Sequence, residues 1–95
     1  MTYKIYTLND PATGAPFLVG RTTRPLPLRL SGHISGARLF KAGGRTEKGA
    51  LIRDILARGE RPEILLLEET TDPEREEWYI NLFAKAGIPL TNRAF

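Results

Sequence analysis

The rhythm of hydrophobic positions changes along the chain, and each rhythm predicts an element. Tyr3-Lys4-Ile5-Tyr6-Thr7-Leu8 alternates and is rich in β-formers, which predicts a strand. Asn9-Asp10-Pro11-Ala12-Thr13-Gly14 is turn chemistry, and Phe17-Leu18-Val19-Gly20 returns as a second strand. Together they predict an antiparallel hairpin with a long loop. Arg24-Pro25-Leu26-Pro27 starts a helix, because proline fits a first turn and blocks backward extension. Leu30, Ile34 and Ala37 share one face of that helix, Arg29 and His33 an adjacent one, and the pattern runs to about Phe40. Gly43-Gly44 breaks it. Thr46 caps a second helix with Leu51, Ile52, Ile55 and Leu56 on its apolar face, and Gly59 ends it.

The run Glu63-Ile64-Leu65-Leu66-Leu67-Glu68 is apolar on consecutive positions. That predicts a central strand buried on both sides. Asp72 is placed to cap a third helix, with Pro73 in its first turn, an end near Ala86 and Gly87 beyond. Ile88 to Asn92 reads as an extended tail. The fold class predicted is α+β: one domain over residues 1–95, a small three-stranded, mostly antiparallel sheet flanked by three helices, in the order β-β-α-α-β-α.

Composition narrows the chemistry. The chain has 95 residues, 41% hydrophobic and 26% charged, as in an ordinary globular domain. There is no cysteine, which excludes disulfides, a thiolate nucleophile and cysteine zinc sites. No apolar run approaches a membrane span and the first residues lack a signal core, so a cytoplasmic protein with no membrane partner is expected. The net charge of +3 is uneven: Arg21 to Arg61 holds ten Lys/Arg against three Asp/Glu, while Pro62 to Phe95 holds three against seven. A basic middle suits a polyanion. Its phosphate-facing candidates are Arg21, Arg24, Arg38, Lys41, Arg45 and Lys48, most of which also suit plain solvent exposure.

Tyr6, Arg29, His33, Glu76 and Asn92 are candidates for chemistry. Each has an ordinary reading beside it. A strand tyrosine usually packs, a lone histidine often does, and an asparagine after a helix is often a turn residue. Glu76 lies in an acidic run, but its spacing to Ile80 and Phe83 puts it at the end of an apolar face, with Trp78 and Leu82 on a neighbouring stripe. A carboxylate aimed at the core edge is a natural ligand for a hard cation.

Taken in order, these residues resemble the GIY-YIG endonuclease domain over nearly the whole chain. Lys4-Ile5-Tyr6 stands at the first motif, and Phe17-Leu18-Val19-Gly20, followed by Thr22, at the second. Arg29 and His33 follow Gly20 by nine and thirteen residues, Glu76 precedes Ile80 by four, and Leu90-Thr91-Asn92 closes the pattern. The resemblance implies a metal-dependent DNA endonuclease that hydrolyses phosphodiesters through one Mg²⁺ or Mn²⁺ on Glu76. Arg29 would hold the scissile phosphate. Tyr6, with His33, would order or deprotonate the attacking water, and Asn92 would brace the site by hydrogen bonding. The partner implied is double-stranded DNA, the assembly a monomer or weak dimer, and the small stand-alone size fits a phage or mobile element with no appended recognition domain.

Two positions depart from the pattern. Lys4 stands at the first glycine and Leu18 at the second tyrosine. Leucine can neither donate, accept nor carry a proton. The alternative reading is therefore a weakened or inactive module of the same fold that binds nucleic acid or protein.

Overall fold

The computed structural model describes residues 1–39 and 46–93. Its strands are β1 (Tyr3–Asn9), β2 (Pro16–Thr22) and β3 (Glu63–Thr70). Its helices are α1 (Leu26–Arg38), α2 (Glu47–Ala57) and α3 (Arg75–Lys85), followed by a 3₁₀ turn at Thr91–Arg93. The element order and the α+β class are those read from the pattern. The sheet order is β2-β1-β3 with both pairings antiparallel. Among the described residues no helix is long and apolar enough to cross a membrane.

Local chemistry explains the breaks. The hairpin closes with the Asp10 N–H donating to Ala15 O at 3.0 Å. The Asp10 side chain accepts from the Ala12 N–H, and Gly14 takes a φ of +74° that other residues resist. Thr46 caps α2 by accepting the Gly49 N–H at 3.1 Å. α2 and α3 end in the same way. Gly59 and Gly87 are left-handed, and the next residue's N–H returns to a carbonyl five back, Glu60 to Ile55 and Ile88 to Phe83.

The sheet has a core on each face. Tyr6, Leu8, Phe17 and Leu18 meet Ile34 and Ala37 of α1 and Ile52 and Ile55 of α2. Ile5 and Val19 meet Ile80 of α3 and Leu90 of the tail. Ile52 and Ile55 are fully enclosed, so truncating either to alanine costs about 2–5 kcal/mol.

Four details differ from the sequence expectation. β1 is the central strand, and β3 lies at the edge with Leu65 and Leu66 each 48% exposed. An unbroken apolar run cannot distinguish a central strand from an edge strand whose two faces are only partly covered. α3 begins at Arg75 rather than Pro73, because Asp72 spends its carboxylate on the Glu74 N–H in the preceding turn. α1 ends at Arg38, and Phe40 lies outside the described residues. The tail is a 3₁₀ turn at Thr91–Arg93, not extended throughout. Its position is informative: Thr91 donates to Phe17 O, while Asn92 accepts from Val19 N and donates to Val19 O at 2.9 and 2.8 Å. The tail thus covers the outer edge of β2.

Candidate functional site

Tyr6 sits in the middle of β1 opposite Gly20 of β2. The pairing leaves room for one side chain. A Cβ on Gly20 would stand 2.3 Å from the Tyr6 ring carbon Cζ and 2.4 Å from its hydroxyl. The missing side chain therefore lets the phenol lie across β2. Asn92 grips Val19, the residue beside that glycine, through both its backbone groups.

The phenol ends in a buried network with α1. Arg29 Nε donates to the Tyr6 hydroxyl at 3.1 Å, and that hydroxyl lies 2.7 Å from His33 Nε2. A guanidinium can only donate, so Tyr6 oxygen is its acceptor and the hydroxyl proton is left to point at His33. His33 is then the tautomer carrying its proton on Nδ1. Burial presses His33 down to about 4, helped by the positive charges of Arg29 and Lys48. It is neutral at pH 7 and able to accept. Arg29 and His33 fall on one side of α1 because they are four residues apart.

The surrounding charges come from other elements. Burial pushes the Tyr6 hydroxyl above its usual value; Arg29 opposes this through its charge and hydrogen bond, and the Glu76 carboxylate adds to the rise. Glu76 is itself half-buried in the first turn of α3, and burial holds its carboxyl above the ordinary range, with Arg21 pulling the other way and Glu77 reinforcing it. Lys48, at the start of α2, is pushed down by burial and by Arg29. Burial thus disfavours the charged form of a tyrosine, a histidine, a carboxylate and a lysine, with Arg29 acting on Tyr6, His33 and Lys48 and Arg21 on Glu76. Such opposition between neighbouring groups is characteristic of functional sites.

An open cavity of about 320 Å³ adjoins the network, lined by Tyr3, Arg21, Thr22, Thr23, Arg24 and Arg29. Arg29 belongs to both. Arg21 is anchored by a bond from Nη1 to Pro73 O at 3.0 Å and lies over the Tyr3 ring.

The sequence candidates therefore separate. Tyr6, Arg29 and His33 are in direct contact, and Glu76 and Lys48 are coupled to them by charge. Asn92 braces β2 and does not bond the phenol. Arg21 and Arg24 line the cavity, while Arg38 is exposed in the last turn of α1. Lys41 and Arg45 lie outside the described residues. Trp78 and Leu82 stay 47% and 44% exposed on α3. Tyr3 and Thr23 carry no motif, and the only hint of their place was that one begins β1 and the other follows β2.

Among the described residues no three His, Asp or Glu side chains gather as a ligand set. A cation here would rest on the Glu76 carboxylate with phosphate and water oxygens. Comparison of the chain with family models, with curated proteins and with solved structures finds no match in any of the three.

Proposed function

We propose that this chain is a metal-dependent DNA endonuclease of the GIY-YIG kind, cutting phosphodiesters by attack of water. The observation that carries the reading is the network at the phenol of β1. Tyr6 is held between Arg29 and His33 of α1, with the Glu76 charge acting on Tyr6 and the Lys48 charge on His33.

Arg29 leaves two Nη groups beyond its bond to Tyr6, enough to hold a phosphate and offset charge that grows in the transition state. The oxygen of Tyr6 accepts a proton from water as its own proton moves to His33 Nε2. That transfer is uphill in the free protein, where His33 titrates near 4. A phosphate beside Arg29 and Lys48 offsets the two positive charges that add to the effect of burial on His33, so bound substrate raises the acceptor's basicity in part. The half-buried Glu76 carboxylate, a hard oxygen donor, fits Mg²⁺ or Mn²⁺. When bound, such a cation neutralises phosphate charge and acidifies nearby hydroxyls.

Incubation of supercoiled plasmid with the protein and Mn²⁺ tests the proposal. Nicked circles are expected with metal and none with chelator. Plasmid that stays supercoiled across neutral and alkaline pH sinks it.

The second reading is a nucleic-acid-binding module without cleavage. Leu18 favours it, because that side chain is buried in the α1–α2 core and brings no hydroxyl to the phenol. It predicts salt-sensitive binding that Arg29→Ala weakens and Glu76→Gln leaves unchanged, with a log–log salt slope of about −4 for about four phosphate contacts.

A further inference from the structure

The cavity beside Arg29 is larger and differently walled than one phosphate requires. Its volume of about 320 Å³ lies near the lower bound, about 300 Å³, of small-ligand pockets. Its walls carry three guanidinium groups, two hydroxyls and one phenol ring, and no carboxylate. Arg58 pairs with Asp10 and Glu60, and Arg75 with Glu68, and none of these residues lines the cavity.

Each wall group has a defined freedom. Arg29 is committed to Tyr6 through Nε alone. Arg24 is exposed at its side chain, and its backbone N–H donates to the Thr22 hydroxyl at 3.0 Å. Thr22 therefore keeps its own proton to give. Arg21 is fixed differently. With Nη1 tied to Pro73 O and its guanidinium carbon 5.2 Å from the Tyr3 ring centre, it and the ring form a stacked deck. Flat cationic and aromatic groups are the surfaces on which nucleic-acid bases stack.

We infer that this cavity is a subsite for one unpaired nucleotide, its phosphate held by Arg24 and Arg29 and its base laid against the Arg21–Tyr3 deck. The inference rests on reading the Tyr6 site as a DNA site, and it narrows the substrate class. A base inside a duplex has both faces covered by its neighbours, so a deck that needs a free face selects DNA with a single-stranded flank beside the bond held at Arg29.

Fluorescence anisotropy in chelator, where no cutting occurs, tests this with the full chain. The probes are a blunt DNA duplex and the same duplex with a single-stranded overhang. The wild-type chain should prefer the overhang by about tenfold, the scale of one stacked base. Tyr3→Val, which keeps a strand former, should lose that preference and hold the blunt duplex within about twofold of wild type, whereas Arg24→Gln, at a phosphate-facing residue, should lose the preference while weakening both probes. Equal wild-type affinity for the two probes overturns the subsite and leaves the DNA site standing. Preference that survives both substitutions overturns it too. Failure to bind either probe in a salt-sensitive way removes the DNA reading itself. A measurement on the unaltered chain guards against misfolded variants. Deoxythymidine monophosphate should shift the backbone amide signals of Thr22 and Thr23, and unmoved signals at saturating nucleotide contradict the subsite.

Discussion

Tyr6 and Tyr79 each share a hydrogen-bond network with an arginine, on opposite faces of one sheet. Tyr79 donates to Glu68 at 2.7 Å, and Arg75 grips the same carboxylate through Nε and Nη2 at 3.0 to 3.3 Å. Arg75 also lies over the Trp78 ring at 4.1 Å. Every charge there has its opposite. The hydrogen bond from Arg75, then that from Tyr79, holds the Glu68 carboxyl below its usual range. Around Tyr6 the carboxylate is replaced by a neutral imidazole. Arg29 makes no ion pair among the described residues, burial drives His33 down to about 4, and the Glu76 carboxyl is held up. The first network is complete in itself and ties α3 to β3. The second leaves the Arg29 charge without an ion pair among the described residues.

The comparison can be broken from either side. The largest effect falls on Arg29. Arg29→Ala should lower the nicking rate about 10³-fold, whereas Arg75→Ala should change it less than about twofold, as plasmid time courses would show. Tyr6→Phe comes next, with a loss of about 10²-fold. It also leaves His33 Nε2 without its donor inside the core, for about 1–2 kcal/mol of stability in denaturant unfolding. Tyr79→Phe should leave the rate as it was.

The third effect is on pH. The folded His33 value, about 4, lies below the unfolded 6.5. The unfolded chain therefore binds the proton first on acidification. Stability from this residue is complete above about pH 6.5 and is lost as pH falls toward 4, to a limit of about 3 kcal/mol. Denaturant midpoints at neutral and acid pH should show that loss, and His33→Gln should remove most of it. The smallest effect concerns Glu76. Its folded carboxyl is held above the unfolded value, so its charge costs stability once both states ionise. Glu76→Gln should raise the thermal midpoint slightly at neutral pH. Glu68→Gln, which removes a satisfied charge, should not.

Much of this was legible in the chain because it is written locally. A cap needs one residue of the right kind, and Thr46, Gly59 and Gly87 each mark a helix end by their own chemistry. Helical spacing puts Arg29 and His33 on one side of α1, where both reach the Tyr6 hydroxyl, and Glu76 at the end of an apolar face is half-buried. Strand order is not local. Which strand lies in the middle depends on what packs over each, and the run from Ile64 to Leu67 is equally compatible with either place. The cap of α3 falls at Glu74, two residues beyond Asp72, because the Asp72 carboxylate serves a turn just as well as a helix. The cavity was hidden for a related reason. Tyr3 and Thr23 have no distinctive spacing and acquire meaning only when β1, β2 and α1 are assembled. The space over Gly20 is equally silent, since a glycine in a strand does not announce which ring will cross it.

One assay reaches the difference between the two networks most directly: Mn²⁺-dependent nicking of supercoiled plasmid by the wild-type chain, Glu76→Gln and Glu68→Gln side by side. Wild type and Glu68→Gln should nick at similar rates, and Glu76→Gln should not nick above background. Equal nicking by all three, or none by wild type, would contradict the assignment of hydrolysis to the site around Tyr6.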